Sequence, residues 1–176
     1  KYDMAYSFTD GLALVSEGGR EGFIDTDGNY VIKLTDKVDY ASFSDGYALI
    51  RKGNKWGFID KKGNIVIKPA FYGAADFKEG FASIMEKVGD KYLSGYINKK
   101  GKMITKAIYE EVDDFQEGMA CVKKNGKYGF INKKGKLVVN AIYDNAFSYE
   151  NGLAYVAKGS NAYFIDKTGK KVITIK

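Results

Sequence analysis

Gly22-Phe23-Ile24-Asp25 is the stretch that decides the fold, because close copies of it recur along the whole chain. The string returns as GFID at 57–60, GYIN at 95–98, GFIN at 129–132 and YFID at 163–166. Self-similarity at a fixed period is typical of repeat proteins, in which each unit buries its apolar face against its neighbours. Five copies in 176 residues therefore predict an array of small repeats.

Two further signals accompany each copy at a nearly constant distance. An aromatic-x-x-Gly head precedes the copy, and a glycine follows three residues after its Asp or Asn. The five heads begin 35, 34, 38 and 34 residues apart, at Phe8, Phe43, Phe77, Phe115 and Tyr149. We predict a single domain of five repeats, covering about residues 1–34, 35–70, 71–106, 107–140 and 141–176.

The second repeat shows what one unit contains. Tyr47–Ile50 and Lys55–Ile59 have the composition of strands, and a glycine-containing turn joins them. Asp60–Gly63 predicts a second turn, with the aspartate capping its own backbone, and Ile65–Ile67 predicts a third strand. The alternating segment Val38–Phe43 predicts a fourth, innermost strand. Each repeat is thus expected to be an antiparallel meander of three or four strands of about 4–6 residues.

The recurring glycines and rings predict how the units pack. Gly46 and its equivalents are expected at positive φ or where a side chain would clash, and Phe43 and Phe58 with their equivalents are expected between neighbouring sheets. Two arrangements of the all-β repeats stay open. We favour a five-bladed, propeller-like closed ring because the chain holds a whole number of units, and the alternative is an open β-solenoid or hairpin array.

The strings Gly53–Asn64 and Gly126–Lys136 resemble the WG repeat family, tandem β-repeats that are common in bacterial proteins. The resemblance covers essentially the whole chain and implies no common catalytic activity. The chain departs from the family pattern at the aromatic position before the glycine, where only Trp56 and Tyr128 keep a ring. In the last copy Tyr163 replaces the glycine itself.

The absence of histidine excludes several kinds of active site. General acid–base catalysis by His, Ser-His-Asp triads and His-containing metal sites all require this residue. Cys121 is predicted to be a small hydrophobe or a surface thiol, because no base is adjacent to it. The pairs Glu110-Glu111 and Asp113-Asp114 are interpreted as solvated strand edges or turn caps. We therefore predict no catalytic residue, no metal site and no cofactor.

The net charge of +6 comes almost wholly from lysine, since only two of the 28 basic residues are arginines. This composition disfavours a reader of nucleic-acid sequence, which relies on bidentate arginine forks. No apolar stretch approaches the roughly 20 residues of a membrane helix. The candidate ligand-binding residues are turn lysines and two strand aromatics: Lys61, Lys62, Lys99, Lys100, Lys133, Lys134, Trp56 and Tyr128. The lysines either form an anion-binding rim or serve solubility and edge protection.

The favoured interpretation is a non-enzymatic binding or assembly module that contacts a protein or an anionic glycan or polymer at a bacterial surface. One alternative is a carbohydrate-active accessory domain or a hydrolase that uses only Asp and Glu, and another is a self-assembling structural subunit. We expect a secreted, extracellular or cell-surface location, with a cytoplasmic one as the alternative. The longer first hairpin of the third repeat, around Val88–Leu93, is either a specific contact or a tolerated insertion.

Overall fold

The structure, a computed structural model, describes residues 2–34 and 42–175. Twenty strands make up the regular structure of this part of the chain, as five repeats of four antiparallel strands. The prediction of an all-β repeat protein is confirmed, with four strands in each repeat. No closed sheet forms among the described residues, so the propeller-like ring remains a prediction.

The strands follow one pattern, in which a two-residue strand precedes three longer ones. The first repeat has β1 (Met4–Ala5), β2 (Ala13–Glu17), β3 (Arg20–Ile24) and β4 (Tyr30–Lys33). The second has β5 (Phe43–Ser44), β6 (Tyr47–Lys52), β7 (Lys55–Asp60) and β8 (Ile65–Phe71). The third has β9 (Gly73–Ala74), β10 (Phe81–Val88), β11 (Lys91–Asn98) and β12 (Met103–Tyr109). The fourth has β13 (Glu111–Val112), β14 (Met119–Lys124), β15 (Lys127–Asn132) and β16 (Leu137–Tyr143). The fifth has β17 (Asn145–Ala146), β18 (Ala154–Lys158), β19 (Asn161–Ile165) and β20 (Lys171–Ile175).

Some strands are shorter than the predicted length of about 4–6 residues, and others are longer. The first strand of each repeat has only two residues, as in β13, where Glu111 pairs with Lys123 and Val112 with Val122. Most of the predicted innermost strand Val38–Phe43 lies outside the described residues. In the third repeat β10 and β11 have eight residues each, so the extra residues lengthen this hairpin by further strand pairs such as Val88 with Lys91.

The chain divides into two compact units, one up to Phe77 and one from Lys78. The first unit holds the first two repeats and β9, and the second holds β10 to β20. Each unit has its own apolar core. Phe23, Phe43 and Ile59 belong to the core of the first, and Phe130 and Tyr149 to that of the second.

Every head is a two-residue hairpin turn with positive φ at both central residues. In the first repeat these are Asp10 at 51° and Gly11 at 82°, and the flanking Thr9 and Leu12 exchange two backbone hydrogen bonds of 2.9 and 3.0 Å. This is the type I′ geometry that matches the twist of paired strands. The same positive φ recurs at the residue before the glycine in the other heads: Asp45, Glu79, Glu117 and Asn151. The prediction for the head glycines is confirmed.

Rings from neighbouring repeats meet edge to face in the two cores. Phe23 packs on Phe43 with centroids 4.9 Å apart in the first unit. The equivalent pairs are Phe58–Phe77 at 4.7 Å, Tyr96–Phe115 at 5.1 Å and Phe130–Tyr149 at 4.9 Å. All eight rings are at most 3% exposed. We call the recurring GFID, GYIN, GFIN and YFID stretches the GF-I strings. In each of the first four repeats, the ring of this string and the head ring of the following repeat therefore fill the space between two sheets, as predicted.

The glycine of the GF-I string admits a bulge in the neighbouring strand. In the β15–β16 pair, Tyr128 lies opposite Tyr143 but Phe130 lies opposite Val139, so β16 carries two extra residues at this point. A Cβ on Gly129 would lie 2.6 Å from the carbonyl oxygen of Val139. The β19–β20 pair has no such shift beside Tyr163, nor has the β3–β4 pair beside Gly22, where an added Cβ would still lie 2.6 Å from the carbonyl oxygen of Ile32.

Replacing Phe130 with Ala should lower the free energy of unfolding by about 3–5 kcal/mol, because the substitution empties a fully buried ring site. Urea unfolding measures the change. The control is Ile142→Ala in the same repeat, where the side chain is exposed and the expected effect is within about 0.5 kcal/mol. Equal effects of the two substitutions would contradict the ring contact.

Gly129→Ala should cost about 1–3 kcal/mol, because the added methyl group overlaps backbone atoms of β16 that cannot rotate away. Thermal unfolding compares it with Gly126→Asn in the turn of the same hairpin. Gly126 has a φ of 72° and open space around it, and Asn accepts such a φ more readily than most residues. If both variants have the same melting temperature as the wild type, the bulge does not require the glycine.

Candidate functional site

The turns after the GF-I strings carry the lysines on which the binding prediction rests. Asp60 Oδ1 accepts hydrogen bonds from the backbone N–H groups of Lys62 and Asn64, both at 2.9 Å. Asn98 and Asn132 accept equivalent bonds from the second and fourth residues after them. These local bonds confirm the predicted self-capped turns, and they fix the backbone from which each lysine projects.

The first lysine of each turn interacts with the chain itself. Lys133 Nζ lies 3.1 Å from Glu79 Oε2, and Lys167 Nζ lies 3.2 Å from Glu117 Oε2. In the first unit, Lys61 donates to the backbone oxygen of Asp10 at 2.5 Å. Lys99, at the equivalent position, also has an interaction partner. The predicted anion-binding lysines at this position, Lys61, Lys99 and Lys133, therefore each interact with another part of the chain.

The acidic partner of the first lysine also holds the head turn of the following repeat, and we call this arrangement the head-turn clamp. Glu79 accepts hydrogen bonds from the backbone N–H groups of Glu117 at 2.8 Å and Gly118 at 2.9 Å. The clamps of Asp10 on Gly46 (2.6 Å) and of Glu117 on Gly152 (2.9 Å) repeat the contact. The clamp was not predicted from the sequence, although an acidic residue before the head glycine recurs in four of the five repeats.

The clamp lowers the pKa of its carboxylate. Burial alone would raise the pKa of Glu79, but hydrogen bonds from Lys133 and from the backbone of Gly118 outweigh it, and the pKa ends below its ordinary value. For Glu117 the hydrogen bond from Gly152 is the main cause of a lowered pKa. Both clamps therefore stabilise the folded chain in the ionised state.

The second lysine of each pair is exposed, and it forms no ion pair within the part of the chain that the structure describes. These residues are Lys62 in the first unit and Lys100 and Lys134 in the second. Lys102 and Lys136 project from the same two turns of the second unit and are also exposed. The pairs Lys61/Lys62 and Lys133/Lys134 thus combine one lysine that stabilises the repeat contact with one whose ammonium group is available.

The predicted aromatics lie far from these turns. Trp56 is the second residue of β7, and the lysine turn follows the last residue, Asp60, which lies about 13 Å from Trp56 along the strand. The guanidinium carbon of Arg51 lies 5.6 Å from the centre of the Trp56 ring. Tyr128 donates to Glu111 at 2.6 Å, and Lys123 Nζ lies 5.0 Å from its ring centre. The structure therefore does not bring Trp56 or Tyr128 together with the predicted turn lysines of its own repeat.

Glu110 and Glu111 of the fourth repeat interact with residues of their own β14–β15 hairpin. Glu110 accepts a hydrogen bond from Gly126 N at 2.9 Å, which caps the β14–β15 turn as predicted. Glu111 forms an ion pair with Lys123, and the hydrogen bond from this lysine lowers the pKa of Glu111. Within residues 2–34 and 42–175, no three His, Cys, Asp or Glu side chains come together as metal ligands would.

Cys121 is a buried thiol, which agrees with the first of its two predicted roles. Its side chain belongs to the core of the second unit, and burial raises its pKa to about 12. The thiolate that nucleophilic chemistry requires is thus disfavoured at neutral pH. No helix in the described part of the chain has the length and apolarity to cross a membrane.

A family model described as a WG containing repeat matches five segments, at residues 1–20, 22–56, 56–92, 95–128 and 128–161. The chain belongs to the WG repeat family. These matches confirm the resemblance inferred from the repeated strings. The sequence matches no relative among curated proteins.

Solved structures of similar fold include two of Hsv2 from Kluyveromyces lactis. One has a TM-score of 0.56 at 12% identity and the other 0.52 at 9%, and each match covers 94% of this chain and 62% of that chain. The WG repeat chain thus spans less than two thirds of the length of Hsv2. A protein of unknown function from Bacteroides caccae has a TM-score of 0.35 at 16% identity, over 99% of this chain and 81% of its own. Because their identities are this low, the two Hsv2 matches show a shared fold alone.

Replacing Glu79 with Gln should destabilise the protein at neutral pH by about 1 kcal/mol or less, because the clamp is partly exposed. Since the pKa of Glu79 is lower in the folded state, its contribution is complete above the ordinary glutamate pKa and is lost as the pH falls through the folded value. Urea unfolding of wild type and variant from about pH 7 to about pH 3 should show the difference vanish in acid.

The control for this prediction is Glu86→Gln in β10, where the side chain forms no ion pair among the described residues. It should leave the pH dependence of stability unchanged. A Glu79→Gln effect that is the same at both ends of the pH range would contradict the ionised clamp.

Proposed function

We propose that this WG repeat chain is a non-enzymatic binding module that holds a linear polyanion along the exposed turn lysines of successive repeats. The observation that carries the proposal is that the two lysines of a pair differ in their contacts. Lys133 forms an ion pair with Glu79, whereas Lys134 beside it is exposed and has no ion pair in the described chain.

The second unit offers a sufficient density of charge for such binding. Lys100 and Lys102 project from one turn, and Lys134 and Lys136 from the equivalent turn of the next repeat. Lysine ammonium groups are strongly hydrated point charges without a preferred fork geometry, so they suit a flexible chain of phosphate or carboxylate groups. Several weak contacts on one polymer add to a useful affinity because each raises the effective concentration for the next.

The proposed ligand is an anionic glycan or polymer at a bacterial surface, and the proposal includes that location. The acidic side chains Glu79, Glu110 and Glu117 accept hydrogen bonds from turn amides, which supports a structural use of carboxylates and not a hydrolytic one. The competing role of the exposed lysines is to keep the protein soluble.

Binding of long-chain polyphosphate should weaken steeply as salt rises, because each neutralised anion releases a counterion. Lys134→Gln should lower the slope of log affinity against log salt by roughly 0.7 and leave the unfolding midpoint unchanged. The matched control is the adjacent Lys133→Gln, which should lower stability through Glu79 and change the slope less. Fluorescence titrations at two ionic strengths measure both slopes.

Two outcomes would overturn the proposal. If polyphosphate does not bind at low salt, the exposed lysines serve solubility alone. If Lys133→Gln and Lys134→Gln lower the slope equally, the division of each pair into a structural and a binding lysine is wrong.

A further inference from the structure

The glycine turn of one repeat lies against the fourth strand of the repeat before it. In the second unit, a Cβ on Gly135 would lie 2.9 Å from the carbonyl carbon of Ile104 and 3.0 Å from Cγ2 of Thr105. The same contact recurs at Gly63 with Ile32 in the first unit and at Gly169 with Val139 in the second. Because the fourth strand begins directly after the turn of its own repeat, this contact brings two successive turns together.

Residues 98–102 and 132–136, which we call the third and fourth turns, meet in this way. Ile104 lies two residues beyond Lys102, the last residue of the third turn, which is about 7 Å of strand. Gly135, which lies against Ile104, stands between Lys134 and Lys136 of the fourth turn. Lysine ammonium groups sit on flexible four-carbon stems, so those of both turns can reach one ligand.

The third and fourth turns carry more positive charge than the other three. Both have the sequence Asn-Lys-Lys-Gly-Lys and a formal charge of +3. The equivalent segments 25–29, 60–64 and 166–170 have formal charges of −2, +1 and +1. The two most basic turns are therefore adjacent, and they contain six lysines and no acidic residue.

The capping residue of these two turns is neutral, although the cap does not require this. Asn98 Oδ1 accepts hydrogen bonds from the backbone N–H groups of Lys100 at 3.0 Å and Lys102 at 3.1 Å, and Asn132 forms the same pair of bonds. Asp60 forms this cap with a carboxylate oxygen at 2.9 Å. Asparagine thus preserves the turn and leaves the lysine ammonium groups without a carboxylate in their own segment.

The acid that approaches the fourth turn is already engaged. Glu79 pairs with Lys133, and its two oxygens also accept hydrogen bonds from the backbone N–H groups of Glu117 and Gly118. Four exposed lysines of the two turns have no ion pair within the described part of the chain: Lys100, Lys102, Lys134 and Lys136. Four ammonium groups at one place are thus available to an external anion.

We infer that the third and fourth turns form a single binding site for neighbouring phosphate groups of a condensed phosphate chain. A terminal phosphate carries about −1.5 to −2 charges at pH 7 and three strong acceptor oxygens, so a short run of phosphates balances the four ammonium groups. The carboxylates of an acidic glycan are at least one sugar apart, so fewer of them reach the site together. This inference rests on the proposed polyanion binding and specifies the ligand chemistry at one place.

Calorimetric titration of tripolyphosphate into the 176-residue chain at low salt tests the single site. One molecule should bind per chain, and Lys102→Gln and Lys134→Gln should each lower its affinity about two- to fivefold without changing the stoichiometry. Asn132→Asp should lower the affinity by a similar factor, because it adds a carboxylate and keeps the cap that Asp60 forms. The midpoint of urea unfolding should be the same in all three variants and the wild type.

Lys124→Gln is the matched control, since it removes the same charge at the opposite end of the β14–β15 hairpin from the fourth turn. It should leave the affinity for tripolyphosphate nearly unchanged, because exposed charges at this distance are screened. An equal effect of Lys124→Gln and Lys102→Gln would overturn the inference, since binding would then follow net charge alone. Two bound molecules, only one of which is weakened by each lysine substitution, would also overturn it.

Long-chain polyphosphate separates this inference from the proposed function. If it binds with the expected salt dependence but tripolyphosphate does not bind at low salt, the inference is wrong and the proposed function stands. If neither binds, both are wrong.

Discussion

The edge-to-face contact between the ring of a GF-I string and the head ring of the next repeat is the interaction on which the rest of this structure depends. A single four-stranded meander has too little apolar surface to be stable alone, and this contact supplies the shared core. The bulge admitted by Gly129 and the type I′ head turns bring the strands and rings to the required places. The glycines of the repeat are therefore explained by backbone geometry, and the rings by packing.

The head-turn clamp adds a polar layer to this apolar contact. Head-turn N–H groups lack strand partners, and a carboxylate from the preceding repeat satisfies them while a lysine balances its charge. Neighbouring lysines such as Lys133 and Lys134 consequently differ in role although they look alike in sequence. Lys133 stabilises the contact between repeats, and Lys134 adds an exposed positive charge to the protein surface.

Local features of this fold could be predicted from sequence because they depend on residues a few positions apart. The Asp60 turn, the head turns and the strands of each hairpin were predicted correctly, and so was the burial of Phe58 and Phe130. The clamps could not be predicted because their partners lie 35 to 39 residues apart, as Glu117 with Gly152 and Glu79 with Gly118 show. The different burial of Phe130 and Phe164 could not be predicted for a similar reason. The two residues have the same local sequence context, but among the described residues a head ring, Tyr149, packs on Phe130 and none packs on Phe164.

The repeat contact has a direction, since one repeat contributes a GF-I ring and the next a head ring. The two surfaces that meet are complementary and not identical, so the contact stacks the repeats in one order along the chain. The clamp position holds an acid in every repeat but the fifth, where it is Asn151, and the first-lysine position holds a lysine in every repeat but the first, where it is Thr26. Where both charges are present, as in Glu79 and Lys133, the contact pairs them, so neither is left without a partner.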